Sequence, residues 1–366
     1  MGGADHVGEY GSFGLDVHRA QTVAAVLDPV NGELRVQRLR GEPDHVVPDF
    51  LEELDRPVRA VYEAGPTGFV LARVAEERGL DVRVVAPGSI PRASGDRVKT
   101  DRRDAKRLVR LFAAGELSFA FVPSETDERF RDLVRCVEDA RKDLMRSRHR
   151  LSKFLLRRGV RFPCKAWTQP HEQWLLTLRF DDALSQATFV DYLSAVQALA
   201  QRRRALIWVL EEAVPNSSHA RVVERLRCFR GIDTLTAAGL CAEVGDFRRF
   251  AKPALLSGFL GVVPSEYTSD DKRVQGQITK AGPANARRLL VEAAHHYCHR
   301  PAVGLGLAAR QDGQDPRVVQ IAWRAQRRLH ERWIHLGQRR GKLAGTVAIA
   351  CARELAAFCW EAATLD

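Results

Sequence analysis

The first third of the chain is broken into short apolar and alternating runs. Phe13-Gly14-Leu15-Asp16-Val17 is apolar and closes on a carboxylate, and Thr22 to Leu27 is apolar and β-prone. Asp28-Pro29-Val30-Asn31-Gly32 supplies turn residues, after which Glu33 to Leu39 alternates polar and apolar as a half-buried strand does. His45 to Leu54 reads as a helix. Val58 to Tyr62 is a fourth strand that runs into Glu63-Ala64-Gly65-Pro66. Thr67 to Arg78 is helical, Val82 to Ala86 is a fifth strand, and a helix follows a polar loop from about Asp101 to Ala114.

Three meandering strands followed by α-β-α-β-α is the order of an RNase H-like (RuvC-like) fold. A dinucleotide fold is disfavoured, because no G-x-G-x-x-G follows the first strand, and no P-loop motif occurs. The next segment changes period. Phe130, Leu133, Val137, Ala140, Leu144, Ser147, Leu151 and Phe154 keep a 3-4 spacing, a heptad seam interrupted only by Ser147. A weaker seam runs through Phe189, Leu193, Val196 and Ala200, with a Pro- and Trp-containing stretch between the two. This pattern predicts a long antiparallel coiled-coil hairpin, packed on itself or on another subunit.

From Pro215 onward the chain reads as mostly helical. Arg221 to Cys228, a tight turn at Arg230-Gly231-Ile232-Asp233, and Thr234 to Val244 resemble a helix-hairpin-helix, whose turn amides can hold a nucleic-acid phosphate; a plain helix pair in a core has the same pattern. The expected architecture is therefore α/β plus all-α. Its parts are a flexible terminus over 1–11, a RuvC-like domain over 12–122, a helical hairpin over 123–214, and a helical C-terminal domain over 215–366.

Composition narrows the class. The chain has 366 residues, 45% hydrophobic and 28% charged, which is ordinary for a globular protein. No stretch approaches the ~18 uninterrupted apolar residues of a membrane span. Residues 1–10 contain no apolar core of a secretion signal. Seven cysteines with no C-x-x-C pair suggest reduced thiols in a cytoplasmic protein.

The net charge of +11 points to polyanions, and it is concentrated. Residues 141–161 carry nine Lys/Arg against one acid, and residues 317–342 carry eight against one. The remainder of the chain is net negative. Arg146, Arg148, Arg150, Lys153, Arg157 and Arg158 in the hairpin, with Arg327 and Arg328 near the C-terminus, are candidate phosphate contacts; solvated helix faces are the alternative.

Asp16 and Glu63 close two strands that are neighbours in an RNase H-like sheet. Asp101 and Asp104, at i and i+3, share one face of a helix's first turn, flanked by Arg102 and Arg103. Hard ions such as Mg²⁺ take oxygen ligands, and a pair of ions about 3.5–4 Å apart needs several convergent carboxylates. Capping of the helix is the alternative use of Asp101 and Asp104.

A second concentration of chemistry is the polar stretch from Pro264 to Pro283. Hydroxyls at Ser265, Thr268 and Ser269 stand beside Lys272, Arg273 and Lys280, as attack of a hydroxyl on a phosphodiester requires; a surface loop with capping hydroxyls is the alternative. His295 and His299 share a helix face, yet no second Cys/His pair completes a zinc site, so packing or DNA contact is expected there.

Several of these blocks are similar to those of insertion-sequence-110 family transposases. They are Gly14-Leu15-Asp16-Val17-His18, Tyr62-Glu63-Ala64-Gly65-Pro66-Thr67-Gly68, and Asp96 through Ala105. The C-terminal blocks Ser265 to Ser269 and Gly276-Gln277-Ile278-Thr279-Lys280 match as well. The resemblance covers about residues 12 to 300. It implies a RuvC-like DEDD domain, a coiled-coil linker and a C-terminal domain with a serine nucleophile. On that pattern Asp16, Glu63, Asp101 and Asp104 hold metal, two Mg²⁺ ions in all, and Ser269 is the serine. It also implies double-stranded donor and target DNA, a structured non-coding guide RNA from the element, and a homo-oligomer, dimer or tetramer. One departure is that Asp270 and Asp271 follow Ser269, where family members carry small residues, often glycine. A RuvC-like junction nuclease and a catalytically inactive nucleic-acid-binding relic are the competing readings.

Overall fold

The structure, a computed structural model, describes residues 11–28, 31–54, 57–91, 100–269 and 272–366. The proposed terminus over 1–11 and the residues Asp96 to Lys99, Asp270 and Asp271 fall outside these, apart from residue 11. The chain forms two compact units, one up to Ser124 and one from Glu125.

The first unit is built in the order β1 (Gly11–His18), β2 (Gln21–Leu27), β3 (Leu34–Arg40), α1 (Pro43–Glu52), β4 (Val58–Glu63), α2 (Val70–Glu77), β5 (Asp81–Val85) and α3 (Asp101–Ala113). The sheet order is β3-β2-β1-β4-β5. The first three strands are antiparallel, and β4 and β5 run parallel to β1. This is the RNase H-like order that the alternation predicts.

Alternation along the strands separates two cores. Phe13, Leu15, Ala60 and Tyr62 pack with Val47 and Leu51 of α1 and Leu71, Ala72 and Ala75 of α2. On the other face, Val61 packs with Leu108, and Val23 and Ala25 pack with Ala105 and Val109 of α3. Gly14 belongs to that second face. A Cβ there would stand 2.3 Å from the Ala105 carbonyl oxygen and 2.5 Å from the Val109 nitrogen, so α3 lies directly on the strand backbone. Glycine is what this close approach requires.

The second unit begins with α4 (Glu125–Arg157), followed by α5 (Gln169–Thr177) and α6 (Ala183–Ala213). Helices α4 and α6 form an antiparallel hairpin. At the far end Arg158 donates to Ser185 Oγ at 3.1 and 3.0 Å, and midway Asp143 pairs with Arg202 at 3.5 Å. The seam of α4 is buried at Phe130, Val134, Val137, Ala140, Leu144, Ser147, Leu151, Phe154 and Leu155. The heptad reading differs at Leu133, which is partly buried while Val134 is enclosed. The reason is local: the base of α4 also packs on the C-terminal helices, so a second flank is used there.

Those helices are α7 (Ala220–Arg227), α8 (Thr234–Val244), α9 (Pro253–Phe259), α10 (Ala284–His295), α11 (Leu305–Gln311), α12 (Pro316–Trp333) and α13 (Ala344–Ala363), and all but α11 contribute to one large core. In the α7–α8 turn, Asp233 caps α8 by accepting from Thr236 N at 2.8 Å. Gly231 has φ 80°, and a Cβ there would meet Ala293 O at 2.6 Å, so this side of the turn is pressed onto α10. The buried Arg225 donates to the carbonyls of Ala362, Ala363 and Leu365 at 3.2, 3.3 and 2.5 Å, closing the C-terminus of α13.

The stretch from Pro264 is a two-stranded antiparallel ribbon, β6 (Pro264–Ser269) and β7 (Lys272–Ile278), rather than a loop. Its alternation is weak: Val274 and Ile278 stand against Arg273, Gln275 and Gln277 in β7, while β6 is mostly polar. Among the described residues, no helix is long and apolar enough to cross a membrane.

Candidate active site

The last paired residues of the parallel strands β1 and β4 are Leu15 and Tyr62. Asp16 and Glu63 each follow by one position, so two carboxylates leave neighbouring strands at one level. Both are two positions from residues that face α3, Asp16 from Gly14 and Glu63 from Val61, so they share that face. Helix α3 starts over this edge. Thr100 caps it by accepting from Arg103 N at 3.4 Å, which fixes its first turn and with it Asp101 and Asp104.

Asp104 is 5% exposed. Its Oδ1 accepts from Arg107 at 2.7 Å, while its Oδ2 is buried without a hydrogen-bond partner. A buried, unsatisfied carboxylate oxygen is costly unless something is meant to meet it. Burial pushes the Asp16 carboxyl above the ordinary aspartate value. The charges of Asp101 and Asp104 push it the same way, and His18 opposes them. The acids are thus close enough to repel one another. Converging oxygens, mutual repulsion and an orphaned oxygen are what a divalent cation would relieve, so these residues fit one.

One member of the group carried no role in the sequence. His18 Nε2 lies 3.2 Å from Asp16 Oδ2 and 3.5 Å from Asp101 Oδ1. Ligand-capable atoms of Asp16, His18 and Asp101 all lie within 4.8 Å of one another. Glu63, half-buried at the adjacent strand end, and the buried Asp104 are not in that set. Glu42, Asp44 and His45 form a second such group, less enclosed. The His295–His299 segment forms none among the described residues; His295 instead packs edge-on against Trp333 at 5.6 Å.

Ser269 belongs to the second unit, at the end of β6. The register sets it opposite Lys272, and Thr268 opposite Arg273. Ser265 Oγ donates to Gln277 O at 3.0 Å, which occupies that hydroxyl within the ribbon. Lys280 follows β7 in a left-handed conformation (φ 57°) and is exposed.

The candidate phosphate contacts divide by their internal partners. Arg146 pairs with Asp143; Arg148 pairs with Glu172 at 3.6 Å and stacks over Trp167; Arg158 holds Ser185; Arg328 pairs with Glu354 at 2.9 Å. Arg102 and Arg103 are exposed in the first turn of α3. Arg150, Lys153 and Arg157 are exposed on one face of α4 in step with Arg146, and Arg327 is exposed on α12.

Comparison with known proteins covers both units. A family model described as a transposase, of the DEDD type of insertion-sequence-110 elements, matches residues 13–158. A model described as the transposase IS116/IS110/IS902 family matches residues 223–304. The chain is 39% identical to a putative transposase, y4qE, of Sinorhizobium fredii, over 96% of this chain and 87% of that one. It is 34% identical to the transposase for insertion sequence element IS1533 of Leptospira borgpetersenii, over 90% and 97%.

Proposed function

Because the chain belongs to the IS116/IS110/IS902 family of transposases, enzymes of DNA strand transfer whose DEDD domain implies a divalent metal, we propose that it cuts and rejoins DNA with Asp16, Glu63, Asp101 and Asp104 as Mg²⁺ ligands and Ser269 as nucleophile. The observation that carries this reading is the convergence of Asp16 and Asp101, 85 residues apart in sequence, with Asp104 buried in the same first turn of α3 as Asp101.

In the proposed reaction the Ser269 hydroxyl gives up its proton and its oxygen bonds to phosphorus. The bond from phosphorus to the leaving sugar oxygen breaks, and that oxygen takes up a proton. A sugar hydroxyl of the exchanged strand then attacks the phosphoserine and restores the serine. The number of phosphodiester bonds is unchanged, so no ATP is required. Bound Mg²⁺ supplies positive charge where the phosphate becomes more negative. Lys272, Arg273 and Lys280 add charge on the serine side.

Ser269 and the carboxylates come from different units, and assembly into a homo-oligomer, dimer or tetramer, is part of the same reading. Guidance by a structured RNA from the element, pairing with donor and target, is part of the same proposal. The exposed cations of α4 and α12 are its candidate grips on phosphate.

Two variants test it. Ser269→Ala should abolish covalent protein–DNA adducts on a supercoiled donor plasmid, and adducts at the normal level would remove the serine from its role. Asp101→Asn should stop divalent-metal-dependent cleavage. A second reading rests on the carboxylates lying wholly within the first unit, which suits a junction nuclease using water. Cleaved product free of attached protein would favour that reading.

A further inference from the structure

We propose that His18 is a ligand of the divalent ion held at Asp16 and Asp101, through Nε2. The inference rests on the carboxylate site argued above and adds a nitrogen to its four acids.

Oxygen and nitrogen ligands about 2.0–2.3 Å from one ion can stand no more than about 4.6 Å apart. The ligand-capable atoms of Asp16, His18 and Asp101 fall within 4.8 Å, close to that span. Nε2 sits 3.2 Å from one carboxylate oxygen and 3.5 Å from the other, so all three atoms address the same small volume.

Asp16 and His18 are two positions apart on β1, so both project from one strand face. That face is turned towards α3, which brings Asp101 from a distant part of the chain. Asp104, also on α3, is nine-tenths buried with one carboxylate oxygen unpartnered, and its charge acts on Asp16, although it lies outside the set of three. The His18 side chain is 47% exposed, so it is not held in place by packing against a core.

A nitrogen in the set has a chemical consequence. Imidazole is a softer donor than carboxylate, so it favours transition ions over Mg²⁺. The neutral ring must then present its Nε2 lone pair to the metal and keep its proton on Nδ1. Mn²⁺, which accepts oxygen and nitrogen together, is the probe of choice.

The experiment loads the full-length protein with Mn²⁺ at less than one equivalent and reads ¹⁴N coupling to the ion by pulsed electron paramagnetic resonance. Wild type should show imidazole nitrogen coupling. His18→Ala should lose it and bind Mn²⁺ at least about tenfold more weakly, with a smaller loss for Mg²⁺. His45→Ala, in the second acidic group, should keep both coupling and affinity. Mn²⁺ that binds without nitrogen coupling, or coupling that survives in His18→Ala, overturns the assignment of His18 while leaving the carboxylates standing. Unchanged Mn²⁺ binding in Asp16→Asn removes the carboxylate site itself, and His18 with it.

Discussion

Replacing Gly14 by alanine should injure the candidate active site without touching any of its side chains. The new Cβ would lie 2.3 Å from Ala105 O and 2.5 Å from Val109 N, both main-chain atoms inside α3, so no side chain can swing aside. Restoring ordinary contact near 3.4 Å requires strand and helix to part by about 1 Å. Overpacking of this kind costs about 1–3 kcal/mol, and a backbone-on-backbone clash belongs at the upper end. Asp104 is the residue before Ala105 and Asp101 lies one turn earlier, so both move with the helix relative to Asp16. A misplacement of about 1 Å at reacting groups is worth about 10²-fold in rate.

The assay must read the first unit. All six tryptophans lie beyond Ser124, so their fluorescence reports the second unit. Amide hydrogen exchange of β1 and α3 reads the first. Gly14→Ala should lose protection in β1 and α3 and lose divalent-metal-dependent cleavage, while the tryptophan-detected urea midpoint stays put. Gly88→Ala, with open space around its Cβ, should behave as wild type. Full protection and undiminished cleavage in Gly14→Ala would refute the seating of α3 on the strand.

Three other outcomes are expected. The folded-state carboxyl of Asp16 is raised by burial and by Asp101 and Asp104, so its contribution to stability is full below the ordinary value of 3.8 and is lost as pH rises through the raised value. Metal-free Asp16→Asn should therefore melt above wild type at pH 7, with the gap closing in acid, and divalent ion should raise Tm in wild type alone; a variant melting at or below metal-free wild type at pH 7 would contradict this. Arg225→Met should lower the tryptophan-detected unfolding free energy by roughly 2–4 kcal/mol through the uncapped carbonyls of α13, leaving Mn²⁺ affinity unchanged. The triple variant Arg150→Ala, Lys153→Ala, Arg157→Ala should make the plot of log K against log salt for duplex DNA shallower by about 2–3, and an unaltered slope would remove these cations from the contact.

The first unit was legible in the sequence because its strands carry clear periods and its turns carry Gly, Pro and Asn. The placement of Asp16 and Glu63 on neighbouring strands followed from that order, although β1 runs on past Asp16 to His18. The ribbon β6–β7 was not read as strands, since β6 is mostly polar and the alternation of β7 rests on only two large apolar positions, Val274 and Ile278. Arg225 escaped for a related reason: arginine reads as surface, and only the end of α13, some 140 residues later, makes its burial sensible. His18 lay in a motif but had no visible partner. Its second carboxylate neighbour comes from α3, and no local spacing connects residue 18 to residue 101. The shift from Leu133 to Val134 arose because a helix meeting two neighbours buries two flanks, whereas a heptad describes one.

The hairpin is packed at its two ends by separate cores. Phe130, Val134 and Val137 join the C-terminal helices, while Leu144, Leu151, Phe154 and Leu155 join a cluster with α5 and α6. A strut anchored in this way can change length without redesign of either end, provided both helices change together and the seam keeps phase. Seven residues added to each would move the tip by about 10.5 Å. That is close to the rise of three base pairs along duplex DNA. The reach of the α4 cations is therefore a quantised trait, one that lineages could alter in whole heptads while the carboxylate edge and the ribbon stay as they are.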